Sequence, residues 1–287
     1  MLDLILSVLC SSLIFVIFKL FDVFKIQTLY AIITNYIVAS CTGLFFYEEK
    51  ISVTQVYHSD WFWGTLALGV LFIIVFNIMA KTSQQVGVAV ASVATKMSLV
   101  IPVLVGILAY KESLSTLKVI GILLALAAVY FASVKENTIS FSKKTLLLPV
   151  LVFLGSGIID ASINYFRETK LNSTEFPLFS ATVFAAAATT GLLFIVLKSS
   201  KAPLKVNFRN VLGGIALGIP NYFSIFFLLR ALQNDTLNSA SVFTINNVAI
   251  VMFSTLLGIV LFKEKLNPKN WGGIVLAVIS ILLVALF

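Results

Sequence analysis

Long apolar runs alternate with short polar segments along the whole chain. Runs such as 120–131 and 274–287 do not alternate apolar and polar positions, whereas barrel strands would alternate in segments of about ten residues. In lipid the backbone must hydrogen-bond internally, so continuous apolar runs of about 20 residues predict membrane-spanning helices. The pattern predicts ten spans, over residues 2–20, 27–47, 61–81, 86–110, 115–134, 146–168, 175–197, 211–232, 238–262 and 270–287.

Composition supports a membrane protein. Sixty per cent of the 287 residues are apolar and 11% are charged, against about a quarter charged in soluble domains. The net charge of +8 is scattered over helix ends, which indicates contact with membrane lipid and no nucleic-acid partner. Cys10 and Cys41 lie inside apolar runs and are expected to be small buried residues. The first run is a span rather than a cleaved signal, because Asp3 stands where positive charge is usual.

The two halves of the chain repeat each other at a shift of 152 residues. Over 104–125 and its counterpart, 10 of 22 positions are identical. Each half holds five predicted spans, so the second half enters the membrane from the opposite side, as in many secondary transporters. The sequence predicts one five-helix repeat over 1–134 and a second, inverted, over 146–287. The most informative matches pair Lys111 with Lys263, Glu112 with Glu264 and Gly121 with Gly273.

Short motifs recur in the two halves and carry a family resemblance. They are Gly87-x-Ala89-x-Ala91-Ser92, Pro102, Lys111-Glu112-x-Leu114 and Gly121-Ile122-x-Leu124, then Ser239-x-Ser241, Lys263-Glu264-x-Leu266 and Gly273-Ile274-x-Leu276. With these motifs the chain resembles the drug/metabolite transporter (DMT) superfamily, as two tandem EamA-type units. The resemblance implies ten helices around a central cavity lined by spans 1, 3, 4, 6, 8 and 9. It also implies transport of small solutes such as amino acids, drugs, sugar nucleotides or phosphorylated sugars.

Two arguments about orientation disagree. Thirteen Lys and Arg residues fall on the side of the loop after the first span, and six fall on the side of the termini. The positive-inside rule therefore predicts both termini outside. The family resemblance implies both termini in the cytoplasm, and the orientation stays open.

Lys96 is the strongest candidate for a functional residue. It lies near the middle of span 86–110, where a charge costs about 2.5–3.5 kcal/mol. Its repeat counterpart is Val248, so the shared scaffold does not require a lysine there. Ser92 lies one turn earlier on the same face. We expect Lys96 to contact substrate, and a structurally paired lysine is the alternative.

Asp160 is the second candidate. Ser156, Asp160 and Asn164 follow at i, i+4 and i+8 and form one polar stripe. Counted from the same membrane face, Asp160 and Lys96 differ in depth by roughly 6 Å at 1.5 Å per residue. The spacing predicts that they form an ion pair in the empty protein. A stripe with only a structural role is the alternative.

Further polar residues lie inside spans that the resemblance places around the cavity. Helix–helix hydrogen bonds would explain any one of them, and as a set they are predicted to line a substrate path. Glu112 and Glu264 each precede a helix and are predicted to be structural. Pro102 and Pro220 are predicted to kink their helices. The polar set is Ser7, Ser11, Asn77, Asn221, Tyr222, Asn246 and Asn247.

The expected function is secondary active transport of small metabolites, with export as the expected direction. The sequence lacks a Walker loop, a cluster of His and Cys and a nucleophile motif, so neither an enzyme nor a cofactor or metal site is predicted. Lys96 is expected to anchor an anionic group, and Asp160 to take up the coupling proton. The alternatives are a flippase of a lipid-linked substrate and a membrane-embedded enzyme of lipid or cell-wall metabolism. The expected location is the bacterial cytoplasmic membrane.

Overall fold

The structure is a computed structural model that describes residues 1–47, 53–110, 115–133, 143–171, 175–199, 207–232 and 239–286. Every regular element in these ranges is an α-helix. The helices are α1 (Leu2–Val23), α2 (Thr28–Phe45), α3 (Val53–His58), α4 (Phe62–Gln85), α5 (Val88–Met97), α6 (Val100–Tyr110), α7 (Thr116–Ser133), α8 (Lys143–Thr169), α9 (Phe176–Ser199), α10 (Phe208–Leu232), α11 (Ser239–Phe262) and α12 (Pro268–Leu286).

Within the described ranges, eight helical stretches are long and apolar enough to cross a membrane, and two shorter apolar helices lie in α7 and α12. The protein is therefore an all-helical integral membrane protein. The predicted count of ten spans holds only if α7 and α12 cross the membrane as well. The helix α3 has six residues and lies between two predicted spans.

The predicted span 86–110 is one apolar stretch over Val88–Gly106 that can cross the membrane, but its helix breaks after Met97 and resumes at Val100. Pro102 explains the break. A proline has no backbone N–H, and its ring clashes with the carbonyl four residues earlier, which here belongs to Ser98. In contrast, α10 is assigned without a break through Pro220.

Successive long helices run in opposite directions, as contacts between their ends indicate. On the face that carries the N-terminus, Asp3 lies 3.7 Å from Arg230 at the end of α10. On the opposite face, the backbone N–H of Gln27, before α2, donates to Asn210 Oδ1, at the start of α10. We call these the N-terminal face and the far face.

The bundle is held by close helix pairs. The helix α2 packs between α9 and α10, α4 packs against α8 and α9, and α1 packs against α10 and α11. The pair α7 and α12 approaches closely at glycines, since a Cβ on Gly273 would lie 2.4 Å from the Ala132 nitrogen. In lipid such small residues stabilise a bundle by letting backbones come together.

The N-terminus of α12 is capped by side chains of its own sequence. Pro268 occupies its first position, which suits a residue without an N–H. Asn267 Oδ1 accepts the backbone N–H of Asn270 at 2.8 Å, and Asn270 Oδ1 accepts that of Asn267 at 3.0 Å. This reciprocal cap satisfies two free N–H groups. The side-chain amide of Asn270 also donates to the Ala132 carbonyl at the end of α7, so the start of α12 is tied to α7.

Candidate functional site

Two connected chambers lie in the middle of the bundle. The inner chamber has a volume of about 260 Å³ and the outer chamber about 620 Å³. The outer chamber reaches Arg167, Leu229 and Phe243, which lie at the helix ends of the N-terminal face. The lining comes mainly from α1, α4, α5, α6, α8, α10 and α11. Both chambers share Lys96, Leu99, Asp160, Ile163, Ile225 and Asn247.

Lys96 lies in the last turn of α5. Because the helix ends at Met97, the negative end of its dipole lies beside the ammonium group and favours the charge. The side chain is partly buried and lines both chambers. The helix break thus places Lys96 at a helix end that lines both chambers.

Asp160 faces the cavity from α8, and its side chain is exposed there. One carboxylate oxygen lies 3.2 Å from Ser98 Oγ, which also lies 2.6 Å from the Thr95 carbonyl. A serine hydroxyl has one proton, and the shorter distance favours its donation to Thr95. The Asp160 carboxylate therefore keeps most of its capacity to bind a further group.

The predicted ion pair between Lys96 and Asp160 does not form in this structure. The ion pairs within 4.0 Å among the described residues are Arg167–Glu168, Lys170–Asp60 and Arg230–Asp3. The predicted depths assume one uninterrupted helix, whereas the helix ends at Met97, one residue after Lys96. Lys96 and Asp160 still interact electrostatically across the shared cavity. The site therefore holds one cation and one anion with space between them.

Several of the predicted polar residues surround these two charges. Ser156 lines the inner chamber and Asn164 the outer one, so the stripe on α8 faces the cavity along its length. The buried Ser156 Oγ and Asn246 Oδ1 have no hydrogen-bond partner within the described part of the chain. Ser11 and Asn221 line the inner chamber, Asn246 the outer one, and Asn247 both.

Four predicted residues line neither of the two chambers. The Ser7 hydroxyl donates to the Ser224 carbonyl of α10. The Ser92 hydroxyl donates to the Ala89 carbonyl, and the Asn77 amide donates to the Ile73 carbonyl. Both side chains bond to their own helix, which satisfies a polar group in an apolar span. Tyr222 packs in an aromatic cluster, stacked on Phe46 with ring centroids 5.9 Å apart.

Two groups of residues at the site were not predicted. Ser98 was not predicted because residues two positions apart on a continuous helix do not share a face with each other. Ser98 follows the end of α5, outside the helix that carries Lys96, and there its hydroxyl contacts Asp160. The apolar wall includes Phe72, Phe76 and Met79 on α4, together with Phe184. Their spacing at i, i+4 and i+7 marks one helical face, but in a membrane protein such a face is as common toward lipid as toward a cavity.

Glu264 has a structural role, as predicted, but not at the helix that follows it. Its Oε1 accepts the backbone N–H of Val88 at 2.8 Å, so it caps α5 in the other half of the chain. The start of α12, which follows Glu264 in the sequence, is capped by Asn267 and Asn270 instead. Glu112 lies outside the described residues.

Comparisons with known proteins agree with this architecture. The sequence profile of the EamA-like transporter family matches residues 141–286. A protein of Haemophilus influenzae with no characterised function is 30% identical over 290 residues, covering 97% of this chain and 96% of the relative. A crystal structure of another protein covers 99% of this chain and 96% of its own, with a TM-score of 0.60 and 15% identity. That last likeness concerns the fold alone.

Proposed function

Because the chain belongs to the EamA-like transporter family of the DMT superfamily, we propose that it is a secondary active transporter that moves small organic solutes by alternating access. The observation that carries the proposal is the central cavity, which holds Lys96 and Asp160 without a direct ion pair. A charge in the membrane is costly. A charged lysine that lines this space without a direct ion pair is therefore suited to a solute that supplies the missing negative charge.

The proposed substrate carries a carboxylate or phosphate that Lys96 binds. A hydrogen bond between charged partners is stronger than a neutral one, and the amide of Asn247 lines both chambers beside Lys96. The wall formed by Phe72, Phe76 and Phe184 offers an apolar surface on the other side of the inner chamber. A small organic anion with an apolar part fits this combination.

Asp160 is proposed to carry the coupling proton. Its carboxylate faces the cavity and feels the charge of Lys96. When a substrate anion neutralises Lys96, the charged form of Asp160 loses a favourable neighbour. The carboxylate then takes up a proton, so substrate binding and protonation occur in one step.

Alternating access requires two equivalent halves, and we propose that 1–134 and 146–287 are inverted repeats. Reciprocal contacts between α7 and α12 support this. A Cβ on Gly121 would approach Val284, and a Cβ on its counterpart Gly273 would approach Ala132. Residues 132 and 284 are also separated by 152. A two-fold axis produces such exchanged pairs.

The packing of the other helices supports the same relation. Exchange of the halves pairs α1 with α8, α2 with α9 and α4 with α10. The contact of α1 with α10 then corresponds to that of α8 with α4, and the contact of α2 with α10 to that of α9 with α4. All four contacts are present. The proposed location is the bacterial cytoplasmic membrane, and the proposed direction is export.

The test is counterflow and efflux of a mixture of metabolites in proteoliposomes that contain the purified protein. For the solute found, Lys96→Ala is expected to lower the initial rate by about ten- to hundredfold, from the loss of a charge-assisted bond of about 1.5–3 kcal/mol. Asp160→Asn is expected to abolish the dependence of the rate on a proton gradient.

Matched controls are Lys81→Ala and Asp22→Asn, because both side chains are exposed on the far face. Transport by Lys96→Ala at the wild-type rate and pH dependence would refute the anion anchor. If Asp160→Asn loses the pH dependence while Lys96→Ala transports as the wild type does, Asp160 keeps its proposed role as proton carrier. Lys96 is then not the anion anchor. Movement only of a lipid-linked substrate would favour the flippase.

A further inference from the structure

The turn between α4 and α5 is short and unusual. It consists of Val86 and Gly87, and Gly87 has a φ of +144°, which side-chain-bearing residues rarely adopt. The N–H groups of both residues donate to the Thr82 carbonyl, which closes the end of α4. The first N–H groups of α5 have no partner within their own helix.

Glu264 supplies that partner from the second half of the chain. Its two carboxylate oxygens lie 2.8 Å from the Val88 nitrogen and 3.5 Å from the Ala89 nitrogen. The helix α11 ends before it with Lys263 at a φ of +52° and a bond from the Glu264 N–H to the Gly258 carbonyl. This closure spans seven residues, one more than the six of a Schellman ending. It directs the Glu264 carboxylate toward the start of α5.

Two glycines leave room for this carboxylate. A Cβ on Gly87 would lie 3.1 Å from Glu264 Oε2, and a Cβ on Gly258 would lie 2.7 Å from the same atom. The second distance is shorter than real Cβ contacts. The glycines at 87 and 258 therefore form a recess that fits the carboxylate and no larger group.

The other side of the turn is held by a cation. Lys19 Nζ donates to the Gln84 carbonyl at 2.7 Å, at the end of α4. The Gln84 amide donates to the Phe18 carbonyl, and the Ser83 hydroxyl donates to the Phe15 carbonyl. An anion thus lies at the positive end of α5 and a cation at the negative end of α4, the arrangement that both helix dipoles favour.

These contacts lie on the far face, beyond the inner chamber. There α5 packs along α11, whereas α6, the continuation of the same broken span, packs against α8 and makes little contact with α11. The cavity reaches the N-terminal face beside α6. In this structure α5 and α11 are therefore in contact toward the far face, whereas α6 and α11 are apart toward the N-terminal face.

We propose that Glu264 and Lys19 form a clamp on the α4–α5 turn that keeps the far face closed. The inference goes beyond the proposed function and rests on it only in that a transporter must open this face. Opening requires the start of α5 to leave Glu264. The clamp therefore sets the ratio of the two states, and its loss raises the population that is open at the far face.

The test measures a distance without substrate. Spin labels are attached to Lys81→Cys and Lys269→Cys, exposed positions on the far face, in protein in which Cys10 and Cys41 are replaced by alanine. Pulsed electron–electron double resonance (DEER) in liposomes then measures the distance between the two labels, which reports the separation of α4 from α12 at the far face. Glu264→Gln keeps an oxygen acceptor but removes the negative charge at the start of α5, and is expected to raise the ratio of long to short distances by roughly two- to fivefold.

A second variant disturbs the contact between Glu264 and α5 without removing the charge of Glu264. Gly258→Ala places a methyl group against Glu264 Oε2 and is expected to shift the same distances. Combined with Glu264→Gln it is expected to add nothing, because both act on one contact. The control Asp22→Asn removes an exposed carboxylate on the same face and is expected to leave the distances as in the wild type.

Unchanged distances in both Glu264→Gln and Gly258→Ala would overturn the clamp. An equal shift in Asp22→Asn would also overturn it, because the effect would then follow from the charge of the face. Neither result depends on transport. A failure to find a transported solute would count against the proposed function and leave these distances to decide the clamp.

Discussion

The neighbouring glycines 272 and 273 allow a matched test of the α7–α12 interface. A Cβ on Gly272 would meet nothing within 4 Å, whereas a Cβ on Gly273 would lie 2.4 Å from the Ala132 nitrogen and 2.9 Å from the Ala128 carbonyl oxygen. Both neighbours of Gly273 are backbone atoms, so the two helices must move apart by about 1 Å. Overpacking of this kind costs about 1–3 kcal/mol. The gain in helix propensity from Gly to Ala is about 1 kcal/mol.

We therefore expect Gly272→Ala to be stabilised by up to about 1 kcal/mol and Gly273→Ala to be destabilised by up to about 2 kcal/mol. The stability of Gly121→Ala should lie between those of the other two variants, because the atom nearest its Cβ belongs to the side chain of Val284, which can move. Thermal unfolding in one detergent, followed by circular dichroism, gives the order of the three variants. Equal stability of Gly273→Ala and Gly272→Ala would refute the close approach of α7 and α12, and with it the reciprocal contact that supports the repeats.

The remaining predictions concern Ser98 and Asn270. Ser98→Ala should lower the initial transport rate by less than about fivefold, because its proton bonds mainly to Thr95 and a shared bond is worth less than the about 1.5–3 kcal/mol of a full bond to a charge. A loss as large as that of Asp160→Asn would contradict this. Asn270→Ala should destabilise the protein by about 1–3 kcal/mol, because it removes the cap of α12 and the bond to the Ala132 carbonyl. Unchanged thermal unfolding of this variant would show that the cap contributes nothing.

Much of the fold could be predicted because membrane helices leave a strong signal. The long apolar runs predicted the described helices, and the Lys-Glu and glycine matches predicted a repeat. The break at Ser98 was missed although Pro102 had been identified as a kink. A proline weakens a helix near the fourth residue before it, but whether the helix bends or ends there depends on its neighbours. The ending of α5 beside Lys96 is such a case.

The site was harder to predict because helical faces alone do not determine contacts. Asn77 and Ser92 lie at polar positions within apolar spans, yet each side chain bonds to its own helix. Phe72 and Phe76 line the cavity, but the sequence cannot distinguish them from residues that face lipid. Glu264 precedes α12 in the sequence and caps α5 in the structure. Its partner is 176 residues away, a relation that only the packing of the two halves creates.

The two-residue turn between α4 and α5 has a mechanical consequence. Two residues extend over at most about 7 Å, and the Thr82 carbonyl already binds both of their N–H groups, so the turn has no slack. Any rotation of α5 away from Glu264 must carry the adjacent end of α4 with it. Because Phe72, Phe76 and Met79 lie on α4, that rotation would also turn the apolar wall of the inner chamber. Opening of the far face and weakening of the contact between this wall and an apolar solute would then be one motion, so release of the solute would need no separate conformational change.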